Sequence, residues 1–221
     1  METTDETVRR PGRPGTETPA VPDEENILLR GLEAFAELGY ERASARELAR
    51  RLGVSHNFIN DRYGSKAAFW RAVVDAPLRA QLESVPRADP DADDAENLRR
   101  TVAGFYRAAA QTPLIGRVFV DEFSRDTERL DHLYENYLAP MLGTMMPSID
   151  RLVASGAMAP VPMDVLFYAV VPPVSGMVEL PLAHRLGRAA AGSPEQRAAT
   201  AESLARIVVN GLLSTGSAPA A

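Results

Sequence analysis

The chain has 221 residues, with 45% apolar and 24% charged residues, enough to bury a core of its own and too much for disorder throughout. Its 30 acidic and 24 basic residues leave a formal charge of −6. It has no cysteine, which excludes disulfides, zinc ribbons, iron–sulfur clusters and thiol nucleophiles.

No apolar run of membrane-spanning length lacks charge or proline, so no membrane partner is expected. The N-terminus has no apolar core of a secretory signal, and the expected location is cytoplasmic. Residues 1–22 hold four prolines and almost nothing apolar, and read as a disordered arm.

Asp23 to Tyr40 reads as a helix with Leu28, Leu32, Phe35 and Ala36 on one face, stopped by Gly39. Ser44 to Leu52 is a short second helix, for which Ser44 and Glu47 predict a reciprocal capping box. Gly53-Val54 turns the chain, and Ser55 is expected to cap a third helix that buries Ile59 and Tyr63. This order is a helix-turn-helix. Ser65 caps a fourth helix carrying Phe69, Trp70, Val73 and Val74, with Pro77 as an internal kink. Residues 85–94 read as a loop, with Asp94 capping the next helix.

Helical spacing continues through Leu98–Ala109, from Pro113 through Phe123, and along Leu130–Met145 with a kink at Pro140. Met163 to Gly187 predicts a long apolar helix broken near Pro172-Pro173. Ser193-Pro194-Glu195-Gln196 is a strong start for the last helix, whose face is Ala201, Leu204, Ala205, Val208 and Leu212. The expected fold is all-α, with about nine helices and no strand. It divides into a module at 23–68, a larger ligand-binding and dimerisation domain at 69–215, and a short tail at 216–221.

Charge is uneven. From Arg42 to Arg71 there are seven basic and two acidic residues, a local +5 in an acidic chain. A basic helix-turn-helix joined to an acidic body suits a polyanion such as double-stranded DNA.

The run from Gly39 to Ser55, with Leu48-Ala49 in the second helix and Gly53-Val54-Ser55 opening the third, resembles the DNA-binding region of the TetR family of bacterial regulators. Tyr63-Gly64-Ser65-Lys66 leading into the fourth helix extends the resemblance. Asn60 and Tyr63 depart from the family's usual tyrosine and phenylalanine at those places. The resemblance implies a homodimeric transcription regulator, most simply a repressor, whose third helix lies in the major groove. His56, Asn57 and Asn60 are then the candidates for base edges, because asparagine pairs with adenine N6 and N7. Ser44, Arg46, Ser55, Arg62, Tyr63 and Lys66 are the candidates for phosphate. Arg9, Arg10 and Arg13, set among prolines and glycines, resemble a minor-groove arm.

The resemblance also implies a small effector, without a cofactor. Phe105, Phe119, Phe123, Tyr134, Tyr137, Met141, Met145 and Met146 are its expected lining, with His132 as a polar anchor. Val170, Val174, Leu204, Val208 and Leu212 are the expected dimer contacts. Two alternatives remain: a regulator without a small ligand, and a helical enzyme. The second is disfavoured, because His56, His132 and His184 lack metal-ligand spacing and no phosphate-binding glycine loop appears.

Overall fold

The computed structural model describes residues 23–173, 184–187 and 193–214. Its first four helices are α1 (Glu24–Arg42), α2 (Ala45–Leu52), α3 (Phe58–Tyr63) and α4 (Lys66–Ser84). α5 (Asp94–Gln111), α6 (Pro113–Glu122), α7 (Glu128–Leu133), α8 (Ala139–Ala154), α9 (Met163–Val170) and α10 (Pro194–Ser214) follow. A π-helical turn, Tyr134–Leu138, joins α7 to α8, so the described residues form nine rods and no strand. The expected arm at 1–22 with its arginines, Val174, residues 174–183 of the expected long helix, and the tail lie outside the described residues.

Local chemistry sets most of the boundaries. The Asp23 carboxylate accepts the Asn26 amide at 2.8 Å and starts α1. Gly39 sits at φ 72°, ψ 160°, outside helical space, and lets the chain turn before Tyr40. Ser65 caps α4 through the Ala68 amide at 3.0 Å. Ser193 and Gln196 form a full reciprocal box at the start of α10, at 2.9 and 3.3 Å.

Three expectations shift. Only half of the Ser44 box forms: Ser44 Oγ accepts the Glu47 amide, while the Glu47 carboxylate turns to Arg50 and Arg51. α3 begins at Phe58, because Ser55 to Asn57 form a turn in which the Ser55 carbonyl, not its hydroxyl, accepts the Phe58 amide. Asp93 rather than Asp94 caps α5, since Asp94 is engaged by Arg151 at 2.7 Å. The irregularity expected at Pro140 appears as the π turn just before it. Proline has no amide to return to the carbonyl four residues back, and the Ala139 amide reaches Tyr134 instead.

Two apolar cores result. The first joins Ile27, Leu32 and Phe35 of α1, Leu48 and Leu52 of α2, Ile59 of α3 and Phe69, Trp70 and Val73 of α4 to Ile115, Val118, Leu133 and Tyr137. α4 therefore passes through the boundary expected after residue 68 and packs both ways. The second core joins α5, α8, α9 and α10 through Leu98, Val102, Tyr106, Leu152, Leu166, Ala205 and Val209. Each large side chain fully buried in either contributes about 1.5–3 kcal/mol. The buried Tyr106 hydroxyl donates to the Val170 carbonyl at 2.7 Å and ties α9 to α5.

Gly104 marks the tightest approach: a Cβ there would lie 2.2 Å from Pro86 Cδ. A rigid ring in the 85–93 loop cannot move aside cheaply. Gly104→Ala is expected to cost about 1–3 kcal/mol. Thermal unfolding followed by circular dichroism reads this as a melting point several degrees lower.

Candidate nucleic-acid interface

Gly53 ends α2 at φ 71° with its amide returned to Ala49 and Arg50. This left-handed residue reverses the chain and presents the turn at 55–57 and α3 on the outside. Ser55, His56, Asn57 and Asn60 are all exposed there, while Ile59 is fully buried and anchors the short helix from beneath. Phe58 and Tyr63 close its flank edge to face, and Tyr63 packs on Phe69 at 4.8 Å.

Of the nine sequence-derived DNA candidates, Ser55 and Asn60 stand on this exposed ledge, and the other seven fall into three groups. Ser44, Arg46 and His56 line one shallow cleft between α2 and the turn, with Asn57 following His56. Arg46 carries no ion pair among the described residues. Arg62 and Tyr63 both meet Glu24 of α1: the guanidinium is ion-paired with it, and the phenol donates to it at 2.7 Å. Burial and this bond push the Tyr63 phenol up to about 12. Lys66 is turned inward, donating to the Tyr40 carbonyl at 3.0 Å with its ammonium 3.9 Å from the Tyr40 ring centroid. Its burial lowers its basicity.

In sequence Glu24 is an acid at the positive end of α1; it lies 38 positions from Arg62, and no local pattern links the two. Two further cations, Arg50 and Arg51, are satisfied within the module. Arg50 and Arg51 converge on Glu47, and Arg51 also holds Glu37 at 2.5 Å. These bonds hold the Glu47 carboxyl at about 2, below its ordinary 4.5. Because the folded value is depressed, this support of α2 is present above pH 4.5 and is lost as pH falls toward 2.

A second network ties this module to the body. Glu122 at the end of α6 is 1% exposed and accepts Arg129 Nε at 2.9 Å and the Thr127 hydroxyl at 3.3 Å. The Arg129 guanidinium lies 3.7 Å from the Tyr40 ring centroid and also reaches Glu41. Tyr40 in turn stacks on Phe35 and meets Trp70 edge-on.

The expected effector lining separates. Phe105, Phe119 and Phe123 line a small cavity with Gln81, Ala109, Thr112, Pro113, Ile115, Gly116, Val120, Val171 and Pro172. Tyr134 is exposed instead, and Met145 and Met146 pack on the second core. Met141 is half-buried away from the cavity. Tyr137 and His132 are displaced for a physical reason: the π turn brings residues five apart onto one face, and both meet Asp75 Oδ1 at 2.7 Å. His132 is thus a strut between α4 and α7 rather than an anchor in the cavity.

The expected dimer contacts also divide. Val170 and Leu212 are buried in the chain's own second core, and Leu204 and Val208 pack against it. The large apolar side chains left exposed on α9 and α10 are Met163, Val165, Tyr168 and Ile207.

Among the described residues the chain is all-α and carries a helix-turn-helix with its polar face turned outward, an arrangement suited to binding DNA. Residues 27–73 match the model of the bacterial regulatory proteins, tetR family, so the helix-turn-helix module is similar to that family's. No curated protein matches the chain.

Solved structures of the same fold include the TetR family transcriptional regulator PfmR from Thermus thermophilus, 20% identical, covering 86% of this chain and 97% of that one at a TM-score of 0.64. The ketosteroid transcriptional regulator KstR2 of Mycobacterium tuberculosis is 17% identical, with coverages of 86% and 94% and a TM-score of 0.62. The transcriptional regulator FadR from Bacillus subtilis, solved with stearoyl-CoA, is 14% identical, with coverages of 86% and 100% and a TM-score of 0.58.

Proposed function

We propose that two copies of this chain bind an operator as a symmetric dimer in the cytoplasm and repress transcription until a small, largely apolar effector enters the body. Residues 23–68 read DNA, and residues 69–215 carry the effector and dimer functions. The observation that carries this reading is the exposed row of Ser55, His56, Asn57 and Asn60 above the buried Ile59, with the unpaired Arg46 beside it. Side chains that donate and accept on one ledge can read base edges, and a free guanidinium beside them can meet phosphate.

The exposed apolar side chains Met163, Val165 and Tyr168 on α9 and Ile207 on α10 support self-association, since the described residues leave them open to solvent. A two-fold pair places its two third helices in successive major grooves, about 34 Å apart. An effector is supported by the apolar cavity beside α6 and by the acyl-CoA seen in the FadR structure.

The test is a gel shift on DNA flanking the chain's own gene across a salt series, with the oligomeric state measured by sedimentation. The expected result is a dimer whose affinity falls steeply with salt. A monomer that holds no duplex at low salt overturns the reading.

A further inference from the structure

The cavity beside α6 has about 60 Å³ of room for water-sized occupants and an almost wholly apolar wall. Phe105 and Ala109 come from α5, Ile115, Gly116, Phe119 and Val120 from α6, Phe123 from the residue that ends it, and Val171 and Pro172 close one side. No charged side chain lines it among the described residues.

One side chain does not fit an apolar site. Gln81 of α4 lines the cavity and is only 7% exposed. Its carbonyl oxygen accepts the Thr112 hydroxyl at 3.4 Å, which leaves its amide nitrogen with no acceptor among the described residues. That nitrogen is not sealed off from the cavity, so an occupant there can accept its hydrogen bond. The adjoining wall includes Thr112 and Pro113 at the start of α6, a ten-residue helix with no side-chain cap. That end carries positive partial charge and favours a partial negative charge nearby.

We propose that this cavity binds a compact, uncharged molecule with an apolar body and one carbonyl-type oxygen, which accepts a hydrogen bond from Gln81 Nε2. A carboxylate is disfavoured because no cation among the described lining residues offsets the loss of its hydration. A pure hydrocarbon fits the wall but leaves the Gln81 amide unmet. This inference rests on the effector reading of the cavity and adds to it the chemical class of the occupant. It also makes α4 a direct sensor, since the helix that carries Gln81 begins beside the helix-turn-helix.

The test uses the full chain and three probes of one skeleton: cyclopentanone, cyclopentane and cyclopentanecarboxylate at pH 8, titrated by ligand-observed NMR. Cyclopentanone is expected to bind about tenfold tighter than cyclopentane, the effect of one hydrogen bond, and the carboxylate not to bind. Gln81→Leu is expected to abolish that preference while still taking up cyclopentane, which also shows that the variant is folded. Equal binding of ketone and hydrocarbon by the parent overturns the role of Gln81, and tighter binding of the carboxylate overturns the uncharged class. A chain that shifts DNA but takes up none of the three probes overturns the site and leaves the DNA-binding reading standing.

Discussion

Arg129→Met is expected to lower stability by about 3–5 kcal/mol, the cost of stripping one partner from a buried ion pair. Glu122 is 1% exposed, and without Arg129 its carboxylate keeps only the Thr127 hydroxyl. Water cannot reach it to make up the difference. At about 2–4 °C per kcal/mol for a chain of this size, the melting point falls by roughly 10 °C. The double variant Glu122→Leu with Arg129→Met is expected to recover most of that loss, because an apolar pair of similar volume replaces the buried charges. Calorimetry on the parent, both single variants and the double variant gives the coupling directly. A double variant as unstable as the sum of the singles would show that Glu122 and Arg129 act independently. The same substitution removes the cation over Tyr40, a contact through which α6 and α7 hold the end of α1.

Helices and their ends were largely legible in the sequence, because their signals are local. Asp23, Ser65 and the Ser193–Gln196 box needed only a few neighbouring residues to be read. Structure and sequence pattern part where two side chains compete for one partner. Glu47 has two arginines within four residues, and their charge outweighs the Ser44 amide. Asp93 and Asp94 are equivalent caps in sequence until Arg151, 57 positions away, takes the second.

The site was legible to the same extent. The exposed ledge on α3 follows from the spacing of Gly53, Ser55 and Ile59. The grip of Glu24 on Arg62 and Tyr63 does not, because it depends on how α1 crosses α3. Aromatic residues at helical spacing likewise predict burial without saying in which core. Phe105, Phe119 and Phe123 reached the cavity, whereas Tyr137 was drawn to Asp75 by a π turn that no periodicity reveals.

The exposed ledge and the cations around it are expected to answer differently to substitution. Asn57→Ala and Asn60→Ala remove groups suited to base edges and nothing from the core, since both are exposed. Each should weaken operator binding by about 1–3 kcal/mol per half-site. In the proposed dimer the loss appears in both halves, so affinity falls at least tenfold, while binding to random duplex and its salt dependence stay as they were.

Arg46→Ala should do the reverse. It weakens operator and random duplex alike and reduces the salt slope by about one per half-site. Lys66→Met should leave that slope unchanged and lower stability instead, because its ammonium is already committed to the Tyr40 carbonyl and ring.

Arg62 stands between these cases. Glu24 offsets its charge and holds one guanidinium nitrogen, so Glu24→Gln should strengthen binding to any duplex, most visibly at low salt. Fluorescence anisotropy on operator and scrambled duplexes at several salt concentrations separates these outcomes. If Asn57→Ala weakens both duplexes equally, the ledge at 55–60 supplies charge and shape but does not read sequence.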